Sequence, residues 1–120
     1  NSGADALIVS NHGGRQLDGA PSSIAALPGI VQAVGKDIEV WMDGGIRSGQ
    51  DVLKARALGA RGTLIGRSFL YGLGAYGELG VTRVLEIIRK ELDLTMAFCG
   101  RTDINQVDTS ILLPGTYPTA

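Results

Sequence analysis

The chain has 120 residues, 44% of them hydrophobic and 19% charged, with a formal net charge of −1. That is the composition of a soluble globular protein with apolar material for a core, and it gives no electrostatic footing for nucleic acid or a membrane surface. The single cysteine, Cys99, rules out an internal disulfide and points to a reducing, cytoplasmic setting; no signal peptide is visible in these residues and no apolar run is long enough to span a bilayer.

The chain starts with Asn1-Ser2-Gly3-Ala4-Asp5, which leads straight into a strand as if from a preceding helix. Ala6–Val9 is a short apolar run of the length and composition of a buried parallel strand. A long loop, Ser10 to Pro21, follows. Ser22–Leu27 reads as a helical turn, and Pro28 suits the first position of a helix reaching about Val34. Gly35-Lys36-Asp37 closes it. The second strand spans Glu39–Met42 and hands over to Asp43-Gly44-Gly45-Ile46-Arg47. Ser48, with Asp51 three residues on, forms a capping-box pattern, and Val52, Leu53, Ala55 and Leu58 give the next helix a buried face that ends at Gly59.

The third strand is expected over Gly62–Ile65, followed by Gly66-Arg67 and a helix from about Ser68. A last helix, about Val81–Phe98, has Val81, Val84, Leu85, Ile88, Leu92 and Met96 at helical spacing. Glu86 and Lys90 are an i,i+4 pair on its wet side, and Gly100 stops it. The tail from Ile111 to Pro118 reads as extended and punctuated by proline. Trp41 shares strand parity with Asp43 and is expected inside a barrel. Cys99 reads as a small buried hydrophobe, Tyr71 and Tyr76 as packing or interface residues, and Met42 and Met96 as core.

Strand and helix alternating with short apolar strands means a parallel sheet covered by helices. A doubly wound sheet and a (β/α)8 barrel both fit that alternation. All three strands end in glycine-bearing polar loops, on the side where a barrel keeps its active site, which favours the barrel. A barrel needs about 250 residues. The fold expected is therefore α/β: the C-terminal three βα units, strands six to eight, of a (β/α)8 barrel, with a C-terminal helix and tail. Residues 1–120 would form part of a single barrel domain whose upstream portion lies outside this chain.

The first loop carries chemistry. His12, the only histidine, sits where the first strand ends, and Arg15 follows two glycines later. Histidine is the side chain most easily poised as a base near neutral pH, and arginine forms a planar fork for a carboxylate. Together they suit a substrate with a carboxylate beside a carbon or hydroxyl that must lose a proton. The second and third loops read as a phosphate cradle. Backbone N–H groups at Gly44, Gly45 and Gly66 can approach phosphate oxygens closely, and Arg47 and Arg67 add charge. Asp43, at the end of its strand, is placed to accept hydrogen bonds from hydroxyls of a ligand held there. The same two loops would serve other phosphate-binding barrels, so they leave the reaction class open.

The string Ser10-Asn11-His12-Gly13-Gly14-Arg15-Gln16-Leu17-Asp18 closely resembles the active-site signature of the FMN-dependent (S)-2-hydroxy acid dehydrogenases and oxidases. The resemblance extends from Gly3 to about Asp103. It implies FMN as cofactor and no metal, with His12 the base, Arg15 the carboxylate ligand and Ser10 at the flavin. Asp43, Gly44, Gly45, Ile46, Arg47, Gly66 and Arg67 would hold the ribityl phosphate. The reaction implied is two-electron oxidation of a 2-hydroxy acid to the 2-oxo acid, by a hydride or a carbanion route. Ile65–Gly72 looks most like bacterial lactate dehydrogenases, making L-lactate the expected substrate, with glycolate and mandelate open. The rival readings are a phosphate- or FMN-binding barrel of another reaction class and a non-catalytic fragment. The resemblance also implies a homo-oligomer when complete, with membrane attachment decided by upstream residues.

Overall fold

In the computed structural model the described residues are 2–117. Three parallel strands, β1 (Ala6–Val9), β2 (Glu39–Met42) and β3 (Gly62–Thr63), lie in the order β1-β2-β3. Three helices alternate with or follow them: α1 (Ser23–Val34), α2 (Gly49–Ala57) and α3 (Arg67–Phe98). Two short 3₁₀ turns, Ile104–Gln106 and Thr109–Ile111, follow α3.

Successive strand residues point to opposite faces, and the register pairs Leu7 with Val40 and Val9 with Met42. This face is the core. Val9, Val40 and Met42 are buried with Leu27 of α1, Ile46, and Ala55, Leu58 and Ala60 in and after α2. The other face carries Ile8, Glu39 and Trp41 and has no helix over it among the described residues; Ile8 is 53% exposed. Trp41 therefore lies half-buried on the open face, its indole N–H donating to Glu39 Oε2 at 3.0 Å and its ring against Gly62. A second cluster joins Leu53 and Ala57 of α2 to Leu92 and Met96 of α3 and to Val107. The Arg56 guanidinium fastens this side by donating to the Ala60, Arg61 and Ile104 carbonyls; burial, and Arg61 beside it, lower its pKa.

Several expectations change. Ser22–Leu27 and the segment after Pro28 are one helix, with Pro28 buried inside it. Proline has no N–H for the Ile24 carbonyl, so the burial of Leu27 and Pro28 holds the helix together through the break. β3 stops at Thr63, because the chain turns through Gly66 into α3. The two helices expected after Arg67 are both present as the two arms of α3; only their junction differs, falling at Tyr76 and Gly77 with no longer loop between them. Tyr76 and Gly77 leave helical geometry, Gly77 at φ +59°, and the arms fold so closely that Gly72 meets Gly80 backbone to backbone. Leu85 is exposed, since only one flank of the second arm meets α2. Glu86 pairs with Arg83 at 3.2 Å, not with Lys90. Cys99 is exposed at the end of α3, and Tyr71 and Tyr76 are exposed as well. The tail is partly turned, with Thr109–Ile111 in a 3₁₀ turn; Pro118 and Asn1 lie outside the described residues. The capping box at Ser48 and Asp51 and the left-handed Gly59 are as expected.

Candidate functional site

All three strands deliver their C-terminal loops to one cleft of about 640 Å³. From β1 come Asn11, Gly13, Gly14 and Arg15; from β2, Asp43 through Arg47; from β3, Leu64 through Ser68. The loops are tied to one another. The Ser68 hydroxyl donates to the Ile46 carbonyl at 3.1 Å, and the Arg67 guanidinium lies 3.7 Å from where a Cβ on Gly13 would stand.

The first loop is a tight turn. Asn11 Oδ1 accepts from the Gly13 N–H at 3.1 Å, Asn11 Nδ2 donates to the Pro21 carbonyl, and Ser10 Oγ accepts from the His12 N–H. These bonds hold His12 at φ +56°, the only left-handed residue other than glycine among those described. Left-handed backbone at a side-chain-bearing residue costs of order 1 kcal/mol or more and clusters at functional sites. His12 is exposed at the rim and does not line the cleft, whereas Arg15 does. Ser10 stands behind the turn as an acceptor and also lies outside the lining.

The second loop needs its glycines, Gly44 at φ +88° and Gly45 at φ +76°, because two consecutive left-handed residues tolerate few side chains. Past Arg47, the start of α2 is already spoken for. The N–H groups of Arg47 and Ser48 and the Ser48 hydroxyl all donate to Asp51 Oδ2, and the Gly49 N–H donates to Glu91 Oε2 of α3 at 2.9 Å. The start of α3 is the opposite case. Gly66 stands before it with no side chain to cap it, and Arg67 is its first residue. Uncapped first-turn N–H groups with a helix dipole behind them are a ready anion site. Three helices start at this cleft: α1, whose start has no side-chain cap, α2, whose start is taken by Asp51 and Glu91, and α3, which is uncapped and brings the Arg67 charge with it.

Arg15, Arg47, Lys54 and Arg67 line the cleft against Asp43 and Asp51, so the wall is basic on balance. Sequence reasoning missed Lys54, Ser68 and Ser23. Lys54 stands out in no sequence pattern, although its place one turn after the capping Asp51 aims it toward the helix start. Ser68 looked only like a helix beginning, and Ser23, buried in the cleft wall, looked like an ordinary helix residue.

A basic three-loop cleft at the C-terminal edge of a parallel sheet, with an uncapped helix N-terminus, is an α/β architecture with its ligand-binding edge at the strand ends. The chain belongs to the FMN-dependent dehydrogenase family, whose match covers residues 1–114. It is 56% identical over 111 residues to the L-lactate dehydrogenase of Pseudomonas syringae pv. syringae (strain B728a), covering 92% of this chain and 29% of that protein. It is 50% identical to the pre-mycofactocin synthase of Mycolicibacterium smegmatis, covering 100% of this chain and 30% of that protein. A soluble mutant of the membrane-associated (S)-mandelate dehydrogenase from Pseudomonas putida superposes with a TM-score of 0.87 at 46% identity, over 91% of this chain and 31% of that one. The chain thus spans less than a third of the length of these relatives. Among the described residues no helix is long and apolar enough to cross a membrane.

Proposed function

We propose that this chain supplies strands six to eight of a (β/α)8 barrel that binds FMN and oxidises an (S)-2-hydroxy acid, L-lactate first, to the 2-oxo acid. The observation that carries the reading is the convergence of the three strand-end loops on one basic cleft beside the free start of α3. The uncovered sheet face with Ile8 and Trp41, and the strand edges of β1 and β3, suit the remaining barrel strands. A radius of gyration of 15.0 Å fits the same reading, since a closed domain of this length would have about 13.6 Å.

The residues present fit the cofactor. Asp43 Oδ1 is buried without a partner, Gly44 and Gly45 open a backbone cradle, and Arg67 begins an uncapped helix. In this reading the N–H groups at the start of α3, with Arg67 and Arg47, hold the phosphate, while Asp43 accepts from the ribityl chain. Bound FMN supplies the two-electron acceptor. Arg15 forks onto the substrate carboxylate and fixes C2 beneath the rim, where His12 takes a proton. Loss of two electrons and two protons from the hydroxy acid leaves the 2-oxo acid: His12 would take one proton, the hydroxyl proton in a hydride route or the C2 proton in a carbanion route. The two electrons would pass to the bound flavin, together with the C2 proton in the hydride route, while in the carbanion route the hydroxyl proton would pass to water.

The relative named pre-mycofactocin synthase favours a second reading, an FMN barrel of another reaction class, because its match extends over the whole chain. Anaerobic stopped-flow mixing with L-lactate separates the two. In a protein of the relatives' length carrying this segment, the flavin should bleach, and His12→Gln should slow bleaching by about 10²–10⁴-fold while FMN stays bound. No bleaching by lactate, glycolate or mandelate would sink the hydroxy acid reading.

A further inference from the structure

Two side-chain oxygens in the cleft wall are closed to solvent and have no hydrogen-bond partner: Ser23 Oγ and Asp43 Oδ1. Ser23 is the first residue of α1 and is 5% exposed. It lies against the residue that follows Asp43, since a Cβ on Gly44 would stand 3.0 Å from Ser23 Oγ and 3.5 Å from Asn11 Oδ1. Asn11 Oδ1 already accepts from the Gly13 N–H. One orphan is a hydroxyl, able to donate; the other is a carboxylate oxygen, which only accepts when ionised. Buried polar groups are almost always paired, so a donor and an acceptor left over in one wall call for a partner each.

We propose that Ser23 is a positioning residue: when cofactor fills the cleft, its hydroxyl donates to Asp43 Oδ1. Asp43 is thereby locked with its second oxygen toward a ribityl hydroxyl. The inference rests on the reading of Asp43 as the ribityl acceptor. A serine side chain has a single heavy-atom torsion, so its hydroxyl can be redirected without moving α1. The glycine at position 44 keeps the approach open, because a side chain there would press on the Ser23 hydroxyl.

The test is a double-mutant cycle on FMN affinity in apoprotein of the relatives' length. Ser23→Ala should raise the FMN dissociation constant roughly tenfold, as expected for losing a hydrogen bond to a charged group. Thermal stability of the apoprotein should not fall, because the hydroxyl has no partner there to lose. Ser23→Thr should retain the affinity, since it keeps the hydroxyl. In an Asp43→Ala background, Ser23→Ala should cost nothing further. An equal penalty in both backgrounds, or unchanged affinity in Ser23→Ala, overturns the role of Ser23. Unchanged FMN affinity in Asp43→Ala alone overturns the ribityl reading of Asp43 instead, and the role of Ser23 with it.

Discussion

Arg67 offers the sharpest test of the phosphate site. It is the first residue of α3, its guanidinium reaches across to the Gly13 turn, and it makes no ion pair among the described residues. Its charge is therefore uncommitted among the described residues, and Arg67→Ala should leave apoprotein stability nearly unchanged. Binding is another matter. A hydrogen bond to a charged group contributes about 1.5–3 kcal/mol. At about 1.4 kcal/mol per decade, that is a 10- to 150-fold loss in FMN affinity. Riboflavin has the ring and ribityl chain but no phosphate, so its weaker binding should not change on this substitution. The assay is titration of apoprotein of the relatives' length by quenching of flavin fluorescence, with FMN and riboflavin in parallel at two salt concentrations. The gap between wild type and variant should narrow at high salt, as screening weakens an exposed charge contact. An FMN affinity within about threefold of wild type, well under one hydrogen bond's worth, would refute the placement of phosphate at α3. An equal loss for riboflavin would refute it too.

Arg15→Met should weaken binding of L-lactate and pyruvate alike by about 2–5 kcal/mol, with Arg15→Lys a partial rescue because a point charge replaces a planar fork. Unchanged pyruvate affinity in difference titrations of the flavin spectrum would remove Arg15 from the site. Residues 1–120 produced alone should associate, bind an apolar dye and unfold without a sharp transition, since Ile8, Trp41 and two strand edges lack cover. A sharp monomeric gel-filtration peak with cooperative melting and bound flavin would contradict the incomplete-barrel reading.

Much of the local structure was legible because it is written in short-range patterns. The spans of β1 and β2, the capping box at Ser48 and Asp51, and the stops at Gly59 and Gly100 need only apolar period, hydroxyl-to-amide geometry and left-handed glycine. The three glycine-bearing loops could be placed at one edge because parallel strands must all end there. What lay beyond the sequence was which distant groups would meet. Pro28 stays inside α1 because burial of its neighbours outweighs a lost hydrogen bond, a balance that no local preference contains. The bend at Tyr76 and Gly77 follows from the contact between Gly72 and Gly80, eight residues apart. At the site, only the packed fold shows that Asp51 and Glu91 occupy the start of α2 and leave α3 free. The fold likewise brings Ser68 to the Ile46 carbonyl and buries Ser23 beside Gly44. Periodicity records which face of an element is apolar. Sheet order and helix crossing decide what that face, and every polar group along its edge, ends up against.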